Sequence, residues 1–438
     1  MARVPDIEVA SEPDVDLGVA LFLMLAQPSD WVHRRVEHVS FVDASNLRRR
    51  TSLDLSIPDN DLLFYGHVGI IPLALLTKRV LVEVDVTDES GASLPVLTRS
   101  QNAFVAWSLL AAVASYDLVA TLGEDVSLSP AIINELRGLA LASERTGSTL
   151  LESILSSSRS DVQREVLGSE DSLFAGIAGE LAVNFLLLTE LEPEPKQRRI
   201  VKFSYIQPLQ SRPGRSWDRL MGRIGWRPIQ FDFEIPAVGE ARSYHFEFVP
   251  PEGLDTFAGE VLVTDGARET IDDAQIVGNR AHVYIPNESP EATGIVSLWL
   301  KPPRVGLLRA LLMTSLVITT VLWLFFLKLF EIKGDAGSAI LLGIPGVVAT
   351  FIVRPGEHRL ASDLLLGIRA LGGAAGLSAY LAAVALVTVS GTALTVCWFI
   401  LAAMATLCFA SLVVSYWGLP PRYLGEDPEE GAERGQEN

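Results

Sequence analysis

"GIVSLWLKPPRVGLLRALLMTSLVITTVLWLFFLKLF", residues 294–330, changes character half-way along. The first part reads as a short strand. Residues 310–330 then run apolar for about the 20 residues a helix needs to cross roughly 30 Å of hydrocarbon with every backbone group bonded internally. Little more than "KPPR" separates the two, so a water-facing region ends directly against a membrane region.

Towards the carboxyl end three more apolar stretches follow, at residues 337–353, 372–390 and 394–417, giving four expected spans. The second is short and carries Pro345 within "GIPG", a kink site. No Asp, Glu, Lys, Arg or His stands in the central part of any span, which weighs against an ion-coupled transporter. Thr319, Thr320, Ser378 and Thr388 are read as bonding to their own helix or a neighbour rather than lining a pore. Gly372 with Gly376, and Ala375, Ala379 and Ala383 at four-residue spacing, give the third span a small-residue face suited to a four-helix bundle or a homo-oligomer. Lys301, Arg304 and Arg309 precede the first span, and Arg354, Arg359 and Arg369 lie between the second and third. In the opposite loop Lys328 and Lys333 are balanced by Glu331 and Asp335. That bias places both termini in the cytoplasm, with the protein in the cell's inner (plasma) membrane. "RPGEHRLASDLLLGIRALGG" reads as a helix lying in the inner interface before the chain re-enters at Gly372, or else as an extension of the third span.

Towards the amino end, "IVKFSYIQPL", "PIQFDFEIP", "RSYHFEFVP", "FAGEVLVTD", "AHVYIPN" and "GIVSLWLKP" alternate with period two and predict a β-sandwich. Residues 39–97 repeat that pattern in "RRRTSLDLSIP" and "RVLVEVDVTDESGASLPVL". Between these regions the signals are helical. Thr98 or Ser100 caps "QNAFVAWSLLAAVASY", Pro130 opens "SPAIINELRGLALAS", and "SLFAGIAGELAVNFLLLTEL" reads as one buried core helix carrying Glu180. "LGVALFLMLAQ" follows an acidic run rather than a positive one, so it is a short buried helix and not a signal peptide. The expected fold is an α+β soluble region containing a β-sandwich, followed by a four-helix transmembrane region. Its parts are a short helix and β unit at 1–98, a helical segment at 99–195, a membrane-proximal β-sandwich at 199–302, transmembrane helices at 306–418, and a disordered acidic tail at 419–438. That tail carries six acidic residues after Trp417 and serves as solubilising filler or as a docking tail.

The net charge of −18 excludes a general nucleic-acid binder, because affinity for phosphate backbones comes from Lys and Arg. Cys397 and Cys408, both in the last span, leave no disulfide framework and no thiolate zinc site. Against this acidic background "RPGRSWDRLMGRIGW" is locally basic: Arg212, Arg215, Arg219, Arg223 and Arg227 accompany Trp217, with charges and apolar groups on different helical faces. These six residues form the candidate contact with anionic lipid headgroups, at about 1 kcal/mol per basic residue near the surface. The competing reading is an insertion helix packed on the sandwich by Trp217 and Ile224, its arginines paired with carboxylates. No phosphate loop, dinucleotide fingerprint, nucleophile elbow or zinc-protease motif occurs. His33 and His38 are five apart, off the spacing that puts two imidazoles on one helical face, and His245 reads as a surface histidine. No residue is assigned to catalysis, a cofactor or a metal.

"RRRTSLDLSIP", "IPLALLTKRVLVEVDVTDESGASLPVLTRSQNA", "VKFSYIQPL" and "ARSYHFEFVPPEGL", followed by clustered spans, resemble multi-pass membrane proteins of high-GC Gram-positive bacteria. That group has no assigned activity, so the resemblance implies a membrane protein and carries no site residue. The leading expectation is a non-enzymatic integral membrane protein, acting in sensing or in assembly of a membrane-associated complex, with the bilayer and a protein partner or second copy as its contacts. A channel or transporter subunit with a regulatory domain is the alternative. A membrane enzyme with residues dispersed in sequence is the third.

Overall fold

The computed structural model describes residues 4–58, 63–65, 68–78, 82–123, 126–155, 162–169, 172–192, 197–209, 216–266, 268–286, 288–289, 292–329 and 358–418. The strands are β1 (Val32–Phe41), β2 (Asn46–Ser56), β3 (Phe64–Tyr65), β4 (Val68–Thr77), β5 (Val82–Thr87), β6 (Asn184–Leu191), β7 (Arg198–Pro208), β8 (Ile229–Ile235), β9 (Ser243–Val249), β10 (Asp255–Asp265), β11 (Arg268–Asp273), β12 (Gln275–Val277), β13 (Arg280–Pro286) and β14 (Thr293–Lys301). The helices are α1 (Val15–Ala26), α2 (Pro28–Trp31), α3 (Arg99–Leu122), α4 (Pro130–Leu141), α5 (Glu144–Leu155), α6 (Val162–Leu167), α7 (Leu173–Val183), α8 (Ser216–Arg223), α9 (Leu307–Phe326), α10 (Arg359–Leu364), α11 (Leu366–Thr388) and α12 (Thr392–Trp417).

The parts read at 1–98 and 199–302 are not separate. A seven-stranded sheet in the order β12-β13-β9-β1-β2-β7-β5 draws strands from both. Its centre is a parallel pair, β1 with β9, in which Arg35 stands opposite Tyr244 and Val39 opposite Phe248. A second sheet, β11-β10-β14-β8, comes wholly from the later part. The two sheets share one apolar interior: Val39, Tyr244, Phe246 and Phe248 of the first meet Phe231, Phe233, Val296 and Leu298 of the second. Phe233 lies 5.9 Å from Phe246 and 5.2 Å from Phe248 between ring centroids.

The segment read as helical at 99–195 also ends in a strand. "SLFAGIAGELAVNFLLLTEL" is not one helix: α7 stops at Val183, and Asn184–Leu191 pairs antiparallel with β4. A continuous apolar run carries no period of its own, so helix and buried strand are indistinguishable from it. β3, β4 and β6 form a third, small sheet. Capping is as the residues imply. The Thr98 hydroxyl accepts from the Gln101 amide while the Gln101 side chain accepts from the Thr98 amide, and Ser129 caps α4 with Pro130 at its first position. α3 is apolar on every side and sits at the centre of the first core with Phe104, Trp107 and Leu110 buried. α1 crosses it so closely that a Cβ at Gly18 would overlap the Ser108 carbonyl oxygen.

The β1–β2 connection is closed by Asp43, whose Oδ1 accepts from the Ser45 and Asn46 amides and whose Oδ2 accepts from the Asn46 side chain. Hydrogen bonds from Asn46 and then Ser45 hold its carboxyl down at about 2. A lowered value means the turn's support is present above the ordinary aspartate range and is lost as pH falls through about 2. Asp43→Ala is therefore expected to speed amide exchange at Ser45 and Asn46 at pH 6, and to change nothing below the native value.

By length and composition α3, α9, α11 and α12 can each cross a membrane. Their surroundings separate them. In α3 78% of the apolar window is buried, against 39%, 44% and 28% in the other three. α9, α11 and α12 turn Met313, Val317, Leu381, Val387, Ile400 and Leu407 outward, with Val387 and Leu407 more than 70% exposed. α9 and α11 run side by side, with Leu311 against Gly372, and α12 returns antiparallel, stacking Trp398 on Phe325 at 5.1 Å. The expected span at 337–353 and the acidic tail at 419–438 lie outside the described residues. The reading of an interfacial helix after Arg359 is corrected: Leu360, Ala361, Leu365 and Ile368 are buried in the core shared with the two sheets, and from Leu366 the chain is already α11.

Candidate membrane-proximal site

The core between the two sheets does not end at the last strand. Leu307, Leu308 and Leu311 of α9, Ile368 of α11 and Leu412 of α12 belong to the same cluster as Phe233 and Phe246. Five residues lie between Lys301 and Leu307, so β14 delivers its chain straight into the helix bundle. Around this junction lies the segment that carries the expected arginines.

α8 is eight residues long and leads into a tight turn. Gly225 holds φ +75°, a left-handed conformation that glycine adopts without strain, and a Cβ there would stand 2.7 Å from Ile368 Cδ1. A Cβ at Gly367 would overlap the Arg223 carbonyl oxygen, so the turn rests backbone to backbone on the start of α11. The Trp226 indole donates to the Ser411 carbonyl at 3.2 Å and to its hydroxyl at 3.0 Å, and the Ser415 hydroxyl donates to the Ile224 carbonyl at 2.7 Å. Met221 is buried, whereas Leu220 and Arg223 are exposed and Arg227 is half-buried. Of the six residues expected to contact lipid, Arg223 and Arg227 are thus brought to the start of α11 and the last turns of α12. Arg212 and Arg215 lie outside the described residues, as do the side chains of Trp217 and Arg219.

The same level carries further cations and rings. The Arg304 guanidinium stands 5.8 Å from the Tyr416 ring centroid and 6.0 Å from that of Trp417, and Lys301 Nζ is 3.5 Å from that of Phe257. Burial, then the neighbouring Arg304 charge, lowers the Lys301 ammonium from its ordinary value. His358 caps α10 by accepting from the Leu360 amide, and its ring packs edge-on to Phe41 of β1. Sequence reading missed Trp226, Ser411 and Ser415 as a unit. The nearest signal was "MGRIGW", whose two glycines three apart mark close approach without naming a partner nearly 200 residues on.

A second cluster lies inside the seven-stranded sheet's covered face. Alternation along β1 puts Arg35, Glu37 and Val39 on one side, and β2 adds Arg49. Arg35 Nε donates to Glu37 Oε1 at 2.9 Å, Arg35 Nη1 to Glu240 Oε2 at 2.5 Å, and Arg49 Nη2 to the Glu234 carbonyl at 2.6 Å. Arg49 Nε and Glu37 Oε2 face each other at 3.5 Å as an ion pair. Burial alone raises the Glu37 carboxyl, but the Arg49 and Arg35 charges outweigh it and leave the group lowered. Burial, then the Glu37 charge, pushes the Tyr244 phenol well above its ordinary range. Two arginines against two glutamates close the cluster on itself, and it reads as a lock between strands rather than a reacting centre.

Among the described residues no group of three His, Cys, Asp or Glu side chains is placed to hold a metal ion. An open groove of about 600 Å³ runs beside Pro5, Val9, Pro13 and Phe104, with Glu12, Asp14 and Asp16 also on its wall.

No family model and no curated protein sequence matches the chain. Among solved structures it was compared with a mutant M1 zinc metallopeptidase from Deinococcus radiodurans bound to a Tyr-Ser-Ala substrate, at 10% identity and a TM-score of 0.22. The comparison spans 89% of this chain and 95% of that one, and so low a score carries no argument about fold or activity.

Proposed function

We propose that this is a non-enzymatic integral membrane protein whose two packed sheets form a β-sandwich standing on the inner face of the plasma membrane, and that it acts in sensing or in assembly of a membrane-associated complex. The observation that supports it is the unbroken apolar core from Phe233 and Phe246 through Leu308 to Ile368 and Leu412. A flexible tether would let the soluble part tumble freely. A shared close-packed core instead obliges any displacement in the sheets to reach the helices, because such interiors yield little and transmit strain. The outward Met313, Val387 and Leu407 suit acyl chains, and Arg223, Arg304, Tyr416 and Trp417 suit the headgroup level.

Protease added to intact spheroplasts is expected to leave residues 1–300 whole, and inside-out vesicles to expose them to cleavage. Trimming from the outside overturns the sidedness. Gentle-detergent purification of the full chain is expected to retain a partner in fixed ratio. Recovery of a bare monomer at native expression level counts against assembly.

A further inference from the structure

The seven-stranded sheet has one covered face and one open face, and the open face is basic in an acidic protein. Register fixes its rows. Across β13, β9, β1, β2 and β7 one row reads His282, Glu247, His38, Arg50 and Ser204. The next reads Tyr284, His245, Val36, Ser52 and Lys202. Arg34 adds a third row beside Asp54. Arg34, Arg50 and Lys202 are exposed, and Arg50 has no ion pair or hydrogen bond among the described residues, although the chain carries 53 acidic residues against 35 Lys and Arg. His245 Nδ1 and His282 Nε2 stand 3.5 Å apart, and His38 faces Glu247 at 3.7 Å. Glu247 and Asp85, which stands opposite Ser204 on β5, are the acidic residues of these two rows, so the positive excess of the face comes from Arg34 and Arg198 against Asp54, and its flatness suits an extended chain better than a small molecule.

We propose that this open face is the docking surface of the chain's own acidic segment after Trp417, with Glu426, Asp427, Glu429, Glu430, Glu433 and Glu437 opposite Arg34, Arg50 and Lys202. Charge complementarity selects the occupant, and reach permits it. Phe41, the last residue of β1, packs on His358 and borders the same core as Leu412 and Tyr416 near the end of α12. His38 lies three residues up that strand, about 10 Å away. Glu426 lies nine positions after Trp417, a reach of about 30 Å when extended, and Glu437 is eleven further on. The proposal does not depend on which side of a membrane the sheets occupy.

The test is zero-length carbodiimide coupling of the purified full chain in detergent, read by mass spectrometry. Lys202 is expected to couple to carboxylates of residues 426–437, with the yield falling at least fivefold in Arg34→Glu/Arg50→Glu and again in 0.5 M salt. Lys202 coupling only to carboxylates outside that segment overturns the proposal, as does a yield unchanged by the charge reversal. Equal mixing of heavy- and light-isotope chains assigns the contact. Mixed-label products amounting to about half of the cross-links also overturn it, since the occupant is then a second copy. Circular dichroism and melting of the reversed variant verify that it folds.

Discussion

Glu37→Gln is expected to destabilise the protein by about 3–5 kcal/mol, the range for stripping one partner from a buried ion pair. For a soluble part of this size that corresponds to a melting point lower by roughly 6–20 °C. The amide keeps the shape but removes the charge, so Arg35 and Arg49 stay buried without the carboxylate between them. Removing all three charges together, Arg35→Met, Glu37→Leu and Arg49→Met, is expected to recover most of the loss, because a well-packed apolar set avoids desolvating ions at all. Glu240, the remaining charged partner, has a side chain 37% exposed and can be hydrated. The pH dependence has a definite sign. Glu37 is lowered in the folded protein, so its contribution is present above the unfolded carboxyl range, about pH 4.3, and is lost as pH falls through the lower native value. The melting difference between Glu37→Gln and the unaltered chain should be full at pH 7 and shrink well below pH 4. A difference that is flat with pH, or a triple variant as unstable as the single one, removes the ionic lock.

That cluster shows where sequence stops informing. The period-two pattern of β1 and β2 is visible in "HRRVEHVSF" and "NLRRRTSLDLS", and it already says that Arg35 and Glu37 share a face. It cannot say that the face is covered. The cover comes from the second sheet, whose strands lie some 200 residues later, and long-range packing leaves no local trace. For the same reason residues 1–98 and 199–302 looked like two units, although β1 and β9 are neighbours in one sheet. α3 and α9 pose the converse problem: both are long and apolar, and only their surroundings distinguish a core helix from one with an apolar exterior. Legible signals were those whose cause is local, such as the Thr98 box, Pro130 and the abrupt change after "KPPR". In the membrane-proximal site the arginine spacing was legible, but not the docking that Trp226 and Ser415 perform.

Gly367→Ala should open that docking. The added Cβ would overlap a backbone carbonyl, that of Arg223, and no rotamer change relieves a clash with backbone. Either the turn after α8 lifts from α11 or the start of α11 shifts, at about 3 kcal/mol in either case, near the upper end for overpacking. Lifting the turn removes the Trp226 bonds to Ser411 and the Ser415 bond to Ile224, and it frees the backbone at Arg223 and Arg227 to enter the trypsin cleft. Cleavage after those two arginines is expected to accelerate at least tenfold in the purified full chain. Gly225→Ala should act less strongly. Its Cβ meets the movable end of Ile368, leaving mainly the cost of about 1–3 kcal/mol for a side chain at positive φ. Gly138→Ala is the control, an addition in the middle of α4 with open space around it, expected to be neutral or to stabilise by about 0.5–1 kcal/mol. If tryptic cleavage at Arg223 and Arg227 proceeds equally in Gly367→Ala and Gly138→Ala, the turn does not bear on the bundle. The continuous core would then be the whole of the connection between sheets and helices.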